Sequence, residues 1–308
     1  MIEDVSTYEL IIIGSGPAGL SAGLYAARAN LSVAIFEGPS PKGQLMTTAS
    51  IENYPGFIDE DAHQLMSIMS QQAQNVGCTL IQETVEKIEP LGTKKIRIHT
   101  SNKIYTCQAV ILATGAKAKY LGLESEVEYM GYGVSTCATC DGSFFKNLEV
   151  AVIGGGNTAI EEVIYLSKIA SHVHLIHRRE IFRAEPIMQD RMMQLTNVSL
   201  HLNYTLQEIV GTQKPKLVKS INILHKDGDT KNIPLQGVFI AIGHTPQTEL
   251  VKDLIELDTD GYALATGVST KVPGLFVAGD VVDKVYRQAI TSAGQGCMAS
   301  MEAIKFLQ

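Results

Sequence analysis

Two stretches of the chain share one pattern of apolar and polar positions. Residues 9–37 and 149–179 each begin with a short apolar run, turn at glycines, continue with apolar positions at helical spacing, and end in a second apolar run. Short apolar runs bounded by glycine turns are typical of buried parallel strands, and the segment between them is long enough for a crossover helix. Each stretch therefore predicts a βαβ unit, and the second lies 140 residues after the first.

The small residues of the turn recur at matching positions, Gly14 with Gly154, Gly16 with Gly156, and Gly19 with Ala159. In a dinucleotide-binding turn the first glycine permits the tight turn, the second lets backbone N–H groups approach a pyrophosphate, and the third small residue lets helix and strand pack closely. A glycine motif alone is weak, but each copy follows a predicted strand and opens a predicted helix. Two dinucleotide-binding folds are the simplest interpretation.

Three further apolar runs end in small-residue turns, and they lie at residues 110–115, 238–243 and 275–280. The last run is far from the first glycine turn along the chain. If it completes the first cofactor site, the first domain is discontinuous and the second is inserted into it.

The expected architecture is therefore an α/β protein with two Rossmann-like, three-layer dinucleotide-binding domains, the second inserted into the first. We expect residues 1–118 and 247–308 to form the first domain and residues 119–246 the second. The alternating stretch from 200 to 234 is expected to close the sheet of the inserted domain.

Composition and charge narrow the class of protein. The chain has 308 residues, 45% of them hydrophobic and 19% charged, an ordinary globular balance that is large enough for two domains. The net charge of −7 and the lack of a basic tract disfavour nucleic-acid and anionic-membrane partners. The N-terminal stretch lacks the basic start of a secretory signal, and no apolar run approaches a membrane span. We expect a cytoplasmic protein.

The residue at the end of the second strand discriminates between cofactors. In the first unit it is Glu37, which can accept hydrogen bonds from ribose hydroxyls. In the second unit it is His177, followed by Arg178 and Arg179, with Arg183 close behind. Guanidinium groups bind a 2′-phosphate, so the second site is expected to prefer NADP over NAD. The alternative is a solvated basic edge.

The five cysteines divide into two kinds. Cys78, Cys107 and Cys297 are isolated and are expected to be small buried apolar residues, whereas Cys137 and Cys140 form a C-x-x-C pair. A zinc site needs about four ligands, and neither a second pair nor a suitably spaced histidine is present, so we expect no metal. A structural disulfide is disfavoured in a reducing cytosol. A redox-active pair is the favoured interpretation.

A flavin cofactor and a neighbouring carboxylate both bear on the chemistry of the pair. A flavin would join a two-electron hydride donor to a dithiol. Asp141 follows Cys140 directly, and it either exchanges the proton that thiol chemistry requires or caps a turn before Gly142.

The combined motifs resemble those of the low-molecular-weight thioredoxin reductases over nearly the whole chain. The matching segments are GSGPAGLSAGLYAARAN, GQL, ENYPG, ATGA, CATCDG, GGGNTAIEEV, HRREIFRAE, AIGHTP and VAGDVVDKVYRQAITSAGQGCMA.

The resemblance implies two cofactors and the residues that bind them. FAD would contact Gly14, Ser15, Gly16, Pro17, Ala18, Glu37, Gly43, Gln44, Leu45, Asn53, Ala113, Thr114, Gly115, Gly279, Asp280, Arg287, Gln288 and Ala289. NADPH would contact Gly154, Gly156, Asn157, Thr158, His177, Arg178, Arg179, Arg183, Ile242 and Gly243.

It also implies a thioredoxin-disulfide reductase. NADPH would reduce FAD, FAD would reduce the Cys137–Cys140 disulfide, and the dithiol would reduce oxidised thioredoxin. Cys140 would lie nearer the flavin, Cys137 would attack the partner disulfide, and Asp141 would be the acid. A homodimer is implied, and so is a rotation of the inserted domain, because the cysteines and the nicotinamide cannot occupy one flavin face together.

The chain departs from the family pattern at two positions. Lys42 stands where the family often has glycine, which affects the flavin-side loop, and Ser143 precedes the two aromatics, Phe144 and Phe145. These aromatics either help to dock thioredoxin or are simply buried.

Three other classes of protein compete with this interpretation. Related ferredoxin– or flavodoxin–NADP reductases lack the cysteine pair. A related dithiol oxidase or ferredoxin-linked flavin reductase needs no 2′-phosphate clamp. A non-catalytic redox sensor needs no complete electron path.

Overall fold

The computed structural model describes residues 6–38, 43–47, 51–58 and 61–308. The strands are β1 (Ser6–Thr7), β2 (Leu10–Ile13), β3 (Val33–Phe36), β4 (Thr79–Ile81), β5 (Val85–Gly92), β6 (Lys95–Thr100), β7 (Ile104–Cys107), β8 (Ala109–Leu112), β9 (Ala116–Ala118), β10 (Val134–Ser135), β11 (Glu149–Gly154), β12 (His172–His177), β13 (Val198–Leu202), β14 (Tyr204–Gln213), β15 (Lys216–His225), β16 (Thr230–Pro234), β17 (Gly237–Ala241), β18 (His244–Pro246) and β19 (Leu275–Val277). The helices are α1 (Pro17–Arg28), α2 (Ala62–Asn75), α3 (Glu124–Glu128), α4 (Ala138–Asp141), α5 (Asn157–Leu166), α6 (Pro186–Met193) and α7 (Ala289–Leu307).

The chain divides into two compact units. The first comprises Met1–Lys117 and Thr245–Gln308, and the second comprises Ala118–His244. These boundaries lie one and two residues before the positions expected from the sequence. The two crossing segments, β9 and β18, pair as a two-stranded sheet.

The first unit is built on a five-stranded parallel sheet with the order β19-β8-β2-β3-β4. Strand β2 is buried on both faces. Leu10 and Ile12 pack with the apolar faces of α1 and α7, and Ile11 and Ile13 pack with the four-stranded sheet β1-β7-β6-β5. Two buried faces explain why this strand has an unbroken apolar run rather than alternation. The strand that pairs with β8 at the sheet edge is β19, so the unit is discontinuous along the chain.

The second unit repeats this plan with a parallel sheet of order β10-β17-β11-β12-β13. One face packs on α5, and the other packs on a three-stranded antiparallel sheet, β14-β15-β16. The expectation that residues 200–234 close the parallel sheet is therefore wrong for most of that stretch. Only β13 joins it. The strands after β13 follow one another through short turns, and such strands pair with each other in antiparallel fashion because a parallel pairing needs a long crossover.

Three histidines cluster on strands β12 and β13 of the second unit. The rings of His172 and His174 have centroids 4.7 Å apart, and Nδ1 of His174 lies 3.2 Å from Nε2 of His201. Burial, together with smaller contributions from His174, Lys231 and His172, lowers the pKa of His201 to about 4. Burial also lowers the pKa of His174. Both rings are therefore neutral in the folded protein near pH 7.

The histidine cluster predicts that the folded protein loses stability at acidic pH. The unfolded chain binds more protons than the folded chain between the ordinary histidine pKa of 6.5 and about 4, so stability falls as the pH drops through this window. The change His201→Gln should remove about 2 kcal/mol of that fall, measured as the free energy of urea unfolding at about pH 7.5 and about pH 4.5. The matched control is His63→Gln on the exposed face of α2, which should leave the fall unchanged. An equal fall in His201→Gln and the unaltered chain would contradict the interpretation.

Candidate active site and nucleotide-binding sites

The first glycine turn leaves no room for a side chain at its start. A Cβ added to Gly14 would lie 2.2 Å from the carbonyl oxygen of Ala113, and one added to Gly19 would lie 1.8 Å from the carbonyl oxygen of Gly14. Gly14 also has a φ of +112°, which L side chains rarely adopt. By contrast, apart from Gly16 itself and its chain neighbours, no atom of the described residues lies within 4 Å of a Cβ placed on Gly16. The turn is thus tight on the protein side and open at Gly16.

Two other segments gather around this turn. Gly43 opens the 3-10 turn that contains Gln44 and Leu45, and a Cβ on Gly43 would lie 3.3 Å from Cα of Gly16. On another side, a Cβ on Gly279 would lie 3.0 Å from Cβ of Ala18. The turn itself contains Ser15, which is buried, and Pro17, which is the first residue of α1. Lys42 lies outside the described residues.

The segment after β8 is held by Gln247, a residue that the sequence did not single out. The hydroxyl of Thr114 donates to the carbonyl oxygen of Gln247 at 2.6 Å, and the N–H of Gln247 donates to the carbonyl oxygen of Gly115 at 2.9 Å. Glu37 is half-buried at the end of β3, where its N–H donates to the carbonyl oxygen of Ile81.

The segment after β19 is held by two carboxylates. Asp280 accepts a hydrogen bond from the hydroxyl of Ser292 at 3.0 Å, and burial raises its pKa to about 6. Asp283 accepts the N–H groups of Val285 and Tyr286 at 2.9 Å and that of Arg287 at 3.3 Å. Asp283 was missed in the sequence because a turn-forming aspartate has no periodic signal.

The segment leads into α7 through a polar contact. The side chain of Asn53 donates to that of Gln288 at 3.2 Å, and Gln288 caps α7, whose first residue is Ala289. Asn53 and Gln288 were both predicted as site residues, and the structure brings them together.

The second glycine turn repeats the first. A Cβ on Gly154 would lie 2.4 Å from the carbonyl oxygen of Ala241 and 2.7 Å from Cβ of Ala159, whereas nothing in the described chain lies within 4 Å of a Cβ on Gly156. Ala241 ends β17, which pairs with β11 at Gly154. The predicted residues Ile242 and Gly243 follow directly, and Asn157 and Thr158 form the first turn of α5.

His177 is buried beneath this turn. A Cβ on Gly155 would lie 2.2 Å from its ring, the ring stacks on Phe182 at 5.0 Å between centroids, and Nε2 lies 3.1 Å from the carbonyl oxygen of Ile181. Burial lowers the pKa of His177, so the ring is neutral near pH 7. Its position is that of a support for the loop rather than of an exposed cation.

The arginines predicted beside His177 are exposed. A backbone hydrogen bond joins their loop to the second glycine turn. The N–H of Arg183 donates to the carbonyl oxygen of Gly155 at 2.8 Å. The N–H of Glu185 donates to the side chain of Asn157 at 2.8 Å. Arg178 and Arg179 lie on the same loop with exposed side chains.

The C-x-x-C pair is joined as a disulfide at the start of α4. The Cα atoms of Cys137 and Cys140 are 5.3 Å apart, and the N–H of Cys140 donates to Sγ of Cys137 at 3.2 Å. The hydroxyl of Thr139 lies 3.4 Å from the same sulfur. Asp141 ends α4, and burial raises the pKa of its carboxyl group while a hydrogen bond from Ser135 lowers it. A carboxyl group with a raised pKa therefore follows the pair directly along the chain.

The neighbouring aromatics differ in exposure. Phe145 is buried against Phe239 with ring centroids 5.3 Å apart, and Phe144 is 44% exposed. Ser143 lies beside them on the exposed 3-10 turn.

Two of the three isolated cysteines match the expectation of burial. Burial raises the pKa of Cys78 to about 11 and that of Cys107 to about 12, which makes both thiols poor nucleophiles. Cys297 is only half-buried. In the described part of the chain, no group of three or more His, Cys, Asp or Glu residues is arranged to hold a metal ion. None of the helices described combines the length and apolarity that a membrane crossing needs.

Two glycine-turn folds and a disulfide in the second of them define a dinucleotide-dependent disulfide oxidoreductase. The chain belongs to the pyridine nucleotide-disulphide oxidoreductase family, whose model matches residues 8–296, and within it to the thioredoxin reductases.

The similar proteins cover almost the whole chain. The thioredoxin reductase of Rickettsia felis is 48% identical over 98% of both chains. The crystal structure of the Streptococcus pyogenes thioredoxin reductase matches with a TM-score of 0.93 at 39% identity and 98% coverage of both chains. The Lactococcus lactis enzyme, solved in the FR conformation, matches with a TM-score of 0.65 at 36% identity, covering 97% of this chain and 99% of that one.

Thioredoxin reductases of this family use FAD and NADPH, and the two turns fit such groups. Gly16 and Gly156 are the positions where a pyrophosphate would approach the backbone, and both are open. Among the described residues no side chain caps α1 or α5 at its first turn, so their N–H groups are available to phosphate oxygens.

The contrast between Gly14 and Gly16 gives a matched pair of variants. Gly16→Ala should leave the apo-protein melting temperature unchanged, because the new methyl group meets no described atom, but it should weaken FAD binding by about tenfold or more by displacing the pyrophosphate. Gly14→Ala should lower the melting temperature itself. Apo-protein melting and the absorbance of retained flavin measure the two effects. Equal behaviour of the two variants would contradict the assignment.

Proposed function

We propose that this chain is an NADPH-dependent thioredoxin-disulfide reductase. The observation that carries the proposal is the Cys137–Cys140 disulfide, which adjoins the half-buried Asp141 in the unit that contains the second glycine turn. The three relatives named above are thioredoxin reductases, and they match over nearly the whole chain.

We assign FAD to the first unit and NADPH to the second. When bound, the two cofactors supply hydride transfer and its relay to a disulfide. In the first unit, the turn at Gly14–Ala18 would hold the pyrophosphate and the half-buried Glu37 the ribose, because a carboxylate at the end of the second strand accepts hydroxyl hydrogens. The raised pKa of Asp280 supports a polar contact from that side chain, since desolvation raises the pKa even though Ser292 donates a hydrogen bond to the carboxyl group.

In the second unit, we assign the 2′-phosphate of NADPH to the exposed arginines. The bond from Arg183 N–H to Gly155 supports this, because it draws the loop with Arg178 and Arg179 to the turn that receives the pyrophosphate. His177 then supports the second glycine turn, because its neutral ring packs against Gly155. This differs from a direct phosphate contact, for which a charged and exposed ring would be better suited.

The arginine assignment predicts a change of cofactor preference. The double variant Arg178→Ala/Arg179→Ala should raise KM for NADPH by roughly 30-fold, about 2 kcal/mol, because charge-assisted hydrogen bonds to the 2′-phosphate are lost. KM for NADH should not change. The matched control is Arg191→Ala, an exposed arginine on α6. An unaltered ratio of NADPH to NADH efficiency in the double variant would sink the assignment.

We assign different roles to the two thiols. In the reduced protein, the N–H of Cys140 would stabilise a thiolate at Cys137, as the 3.2 Å contact with Sγ supports. The Cys137 thiolate attacks the partner disulfide, forming a mixed disulfide and releasing one partner thiolate. Cys140 then loses its proton and attacks Sγ of Cys137, which restores the Cys137–Cys140 disulfide and releases the second partner thiolate. Asp141 takes or holds the proton in this exchange.

We further propose that the second unit rotates during turnover, that the protein is a homodimer, and that it works in the cytoplasm. The two crossing segments support a hinge, since Gly115 and Gly243 border them with φ values of +70° and +100°. The spread of TM-scores among solved relatives of similar coverage supports more than one arrangement within the family. The thioredoxin reductase resemblance supports the homodimer and the reducing compartment.

The division of labour predicts the outcome of cysteine substitution. Cys140→Ser should reduce NADPH-dependent reduction of thioredoxin to background, because the second exchange step has lost its nucleophile, while NADPH still bleaches the flavin absorbance. Cys137→Ser should also reduce turnover to background. Unlike Cys140→Ser, it should form no mixed disulfide with a thioredoxin that lacks its resolving cysteine. Cys297→Ser is the matched control, because its half-buried thiol lies outside the pair. No turnover by the unaltered, FAD-loaded protein would refute the proposed function, and full activity of Cys140→Ser would refute the electron path.

A further inference from the structure

The hydroxyl group of Thr139 contacts a reacting sulfur atom, and the chemistry proposed so far does not use it. Its Oγ1 lies 3.4 Å from Sγ of Cys137, within hydrogen-bonding distance of the larger sulfur atom. A sulfur in a disulfide has no hydrogen, so in the Cys137–Cys140 disulfide only the hydroxyl group can be the donor. The hydrogen bond therefore runs from the Thr139 hydroxyl group to the Cys137 sulfur.

The same sulfur has a second donor and a fixed position. The N–H of Cys140 donates to Sγ of Cys137 at 3.2 Å, so one backbone group and one side chain of α4 both point to this atom. The backbone of Cys137 is held from the other side, because its N–H donates to Oγ of Ser135 at 3.0 Å. Ser135 is buried at the end of β10. The parallel sheet thus holds the sulfur in register with its two donors.

Both hydrogen bonds become stronger when the disulfide opens. A neutral sulfur is a weak acceptor, whereas a thiolate is charged, and charge-assisted hydrogen bonds are roughly twice as strong as neutral ones. Donors that bind the charged form more strongly favour ionisation of the thiol. Thr139 is exposed, so its hydroxyl group can be removed without a change to the packed core.

Charged and titratable groups on the surrounding elements also act on this site. Asp141 ends α4, and on α5 the carboxyl group of Glu162 accepts an N–H group of α4 at 3.4 Å. The ring of Tyr165 lies beside the residue that follows α4, and Glu161 and Lys146 are exposed. The carboxylates disfavour a neighbouring thiolate and Lys146 favours it. All of these groups stay the same when only residue 139 changes, so matched substitutions there isolate the hydroxyl group.

We propose that Thr139 is a catalytic residue of the thiol–disulfide exchange, whose hydroxyl group donates to the Cys137 sulfur and stabilises it as the attacking thiolate. The inference rests on the proposed function. In this step the Cys137 thiolate forms a bond to one sulfur of the partner disulfide, and the partner S–S bond breaks. The other partner sulfur leaves as a thiolate with the electron pair of that bond. The Thr139 hydroxyl group keeps its hydrogen throughout and is a donor rather than an acid.

The first test measures the Cys137 thiol alone. In FAD-loaded Cys140→Ser/Cys297→Ser protein, Cys137 is the reactive thiol, because Cys78 and Cys107 are buried. The probe is a dipyridyl disulfide, whose released thiopyridone is followed by absorbance. Thr139→Val, which has the shape of threonine without the hydroxyl group, should move the midpoint of the rate against pH upward by about one unit.

Two further variants control this measurement. Thr139→Ser keeps the hydroxyl group and should retain the original midpoint. Thr196→Val makes the same chemical change at an exposed threonine after α6 and should also leave the midpoint unchanged. An unchanged midpoint in Thr139→Val would overturn the proposal, as would an equal shift in Thr139→Ser.

The two limbs of the profile separate thiolate stabilisation from a disturbance of the site. Below both midpoints, Thr139→Val should react up to about tenfold more slowly, because less thiolate is present. Above both midpoints it should react about threefold faster, because a less stabilised thiolate is a stronger nucleophile. The rates of the two proteins are compared at each pH, which removes the pH dependence of the probe. A rate reduced by one factor at every pH would overturn the proposal.

The second test uses the protein partner. In the same background, the rate of mixed-disulfide formation with a thioredoxin that lacks its resolving cysteine should show the same crossing between Thr139→Val and the parent. A loss of one size at every pH would identify Thr139 as a docking contact and overturn its catalytic role. If no mixed disulfide forms with thioredoxin, the proposed function fails, and the rates with the dipyridyl disulfide still decide whether Thr139 stabilises the Cys137 thiolate.

Discussion

The close approach of each glycine turn to the strand beside it is the constraint on which the rest of the molecule depends. At Gly14 and Gly154, the carbonyl oxygen of a neighbouring strand occupies the space that a Cβ would need. Those carbonyl groups belong to Ala113 and Ala241. Ala113 directly follows the parallel strand β8, and Ala241 is the last residue of the parallel strand β17. The approach fixes the helix N-terminus against the carboxyl edge of the sheet, which is the edge where a parallel α/β fold binds its ligands.

From that edge the organisation of each site follows. In the first unit, β8 and β19 deliver Thr114 and Asp280 to the same edge as the first turn, although the two residues lie on either side of the inserted unit along the chain. In the second unit, β12 delivers His177 and the arginine loop to the second turn. Both units therefore use one geometric solution, and they differ in the side chains that the second strand presents, a carboxylate in one and a basic loop in the other.

The redox pair depends on the same sheet through β10. Ser135 is at the end of this strand, Cys137 follows it, and Asp141 closes the short helix that Cys137 begins. The hydrogen bonds of this segment join residues two and three positions apart, so a small piece of backbone carries the disulfide and the hydroxyl group of Ser135. Burial raises the pKa of the neighbouring Asp141 carboxyl group, because a desolvated acid retains its proton at a higher pH than a solvated one.

The amino-acid sequence by itself determined the two βαβ units, the discontinuous first unit, the pairing of Cys137 with Cys140 and the family, since these rest on periodicity and on local motifs. Only the tertiary structure decided the roles of residues whose partners are distant or lack a periodic signal. The bond from Thr114 to Gln247 spans 133 positions. His177 has the motif position of a phosphate ligand, yet it is buried against Gly155. Apolar and polar residues alternate in the stretch after β13, as they do in a strand with one buried face. Such alternation shows which side is buried but not which strand becomes the neighbour, so only the fold decided that this stretch forms a separate antiparallel sheet.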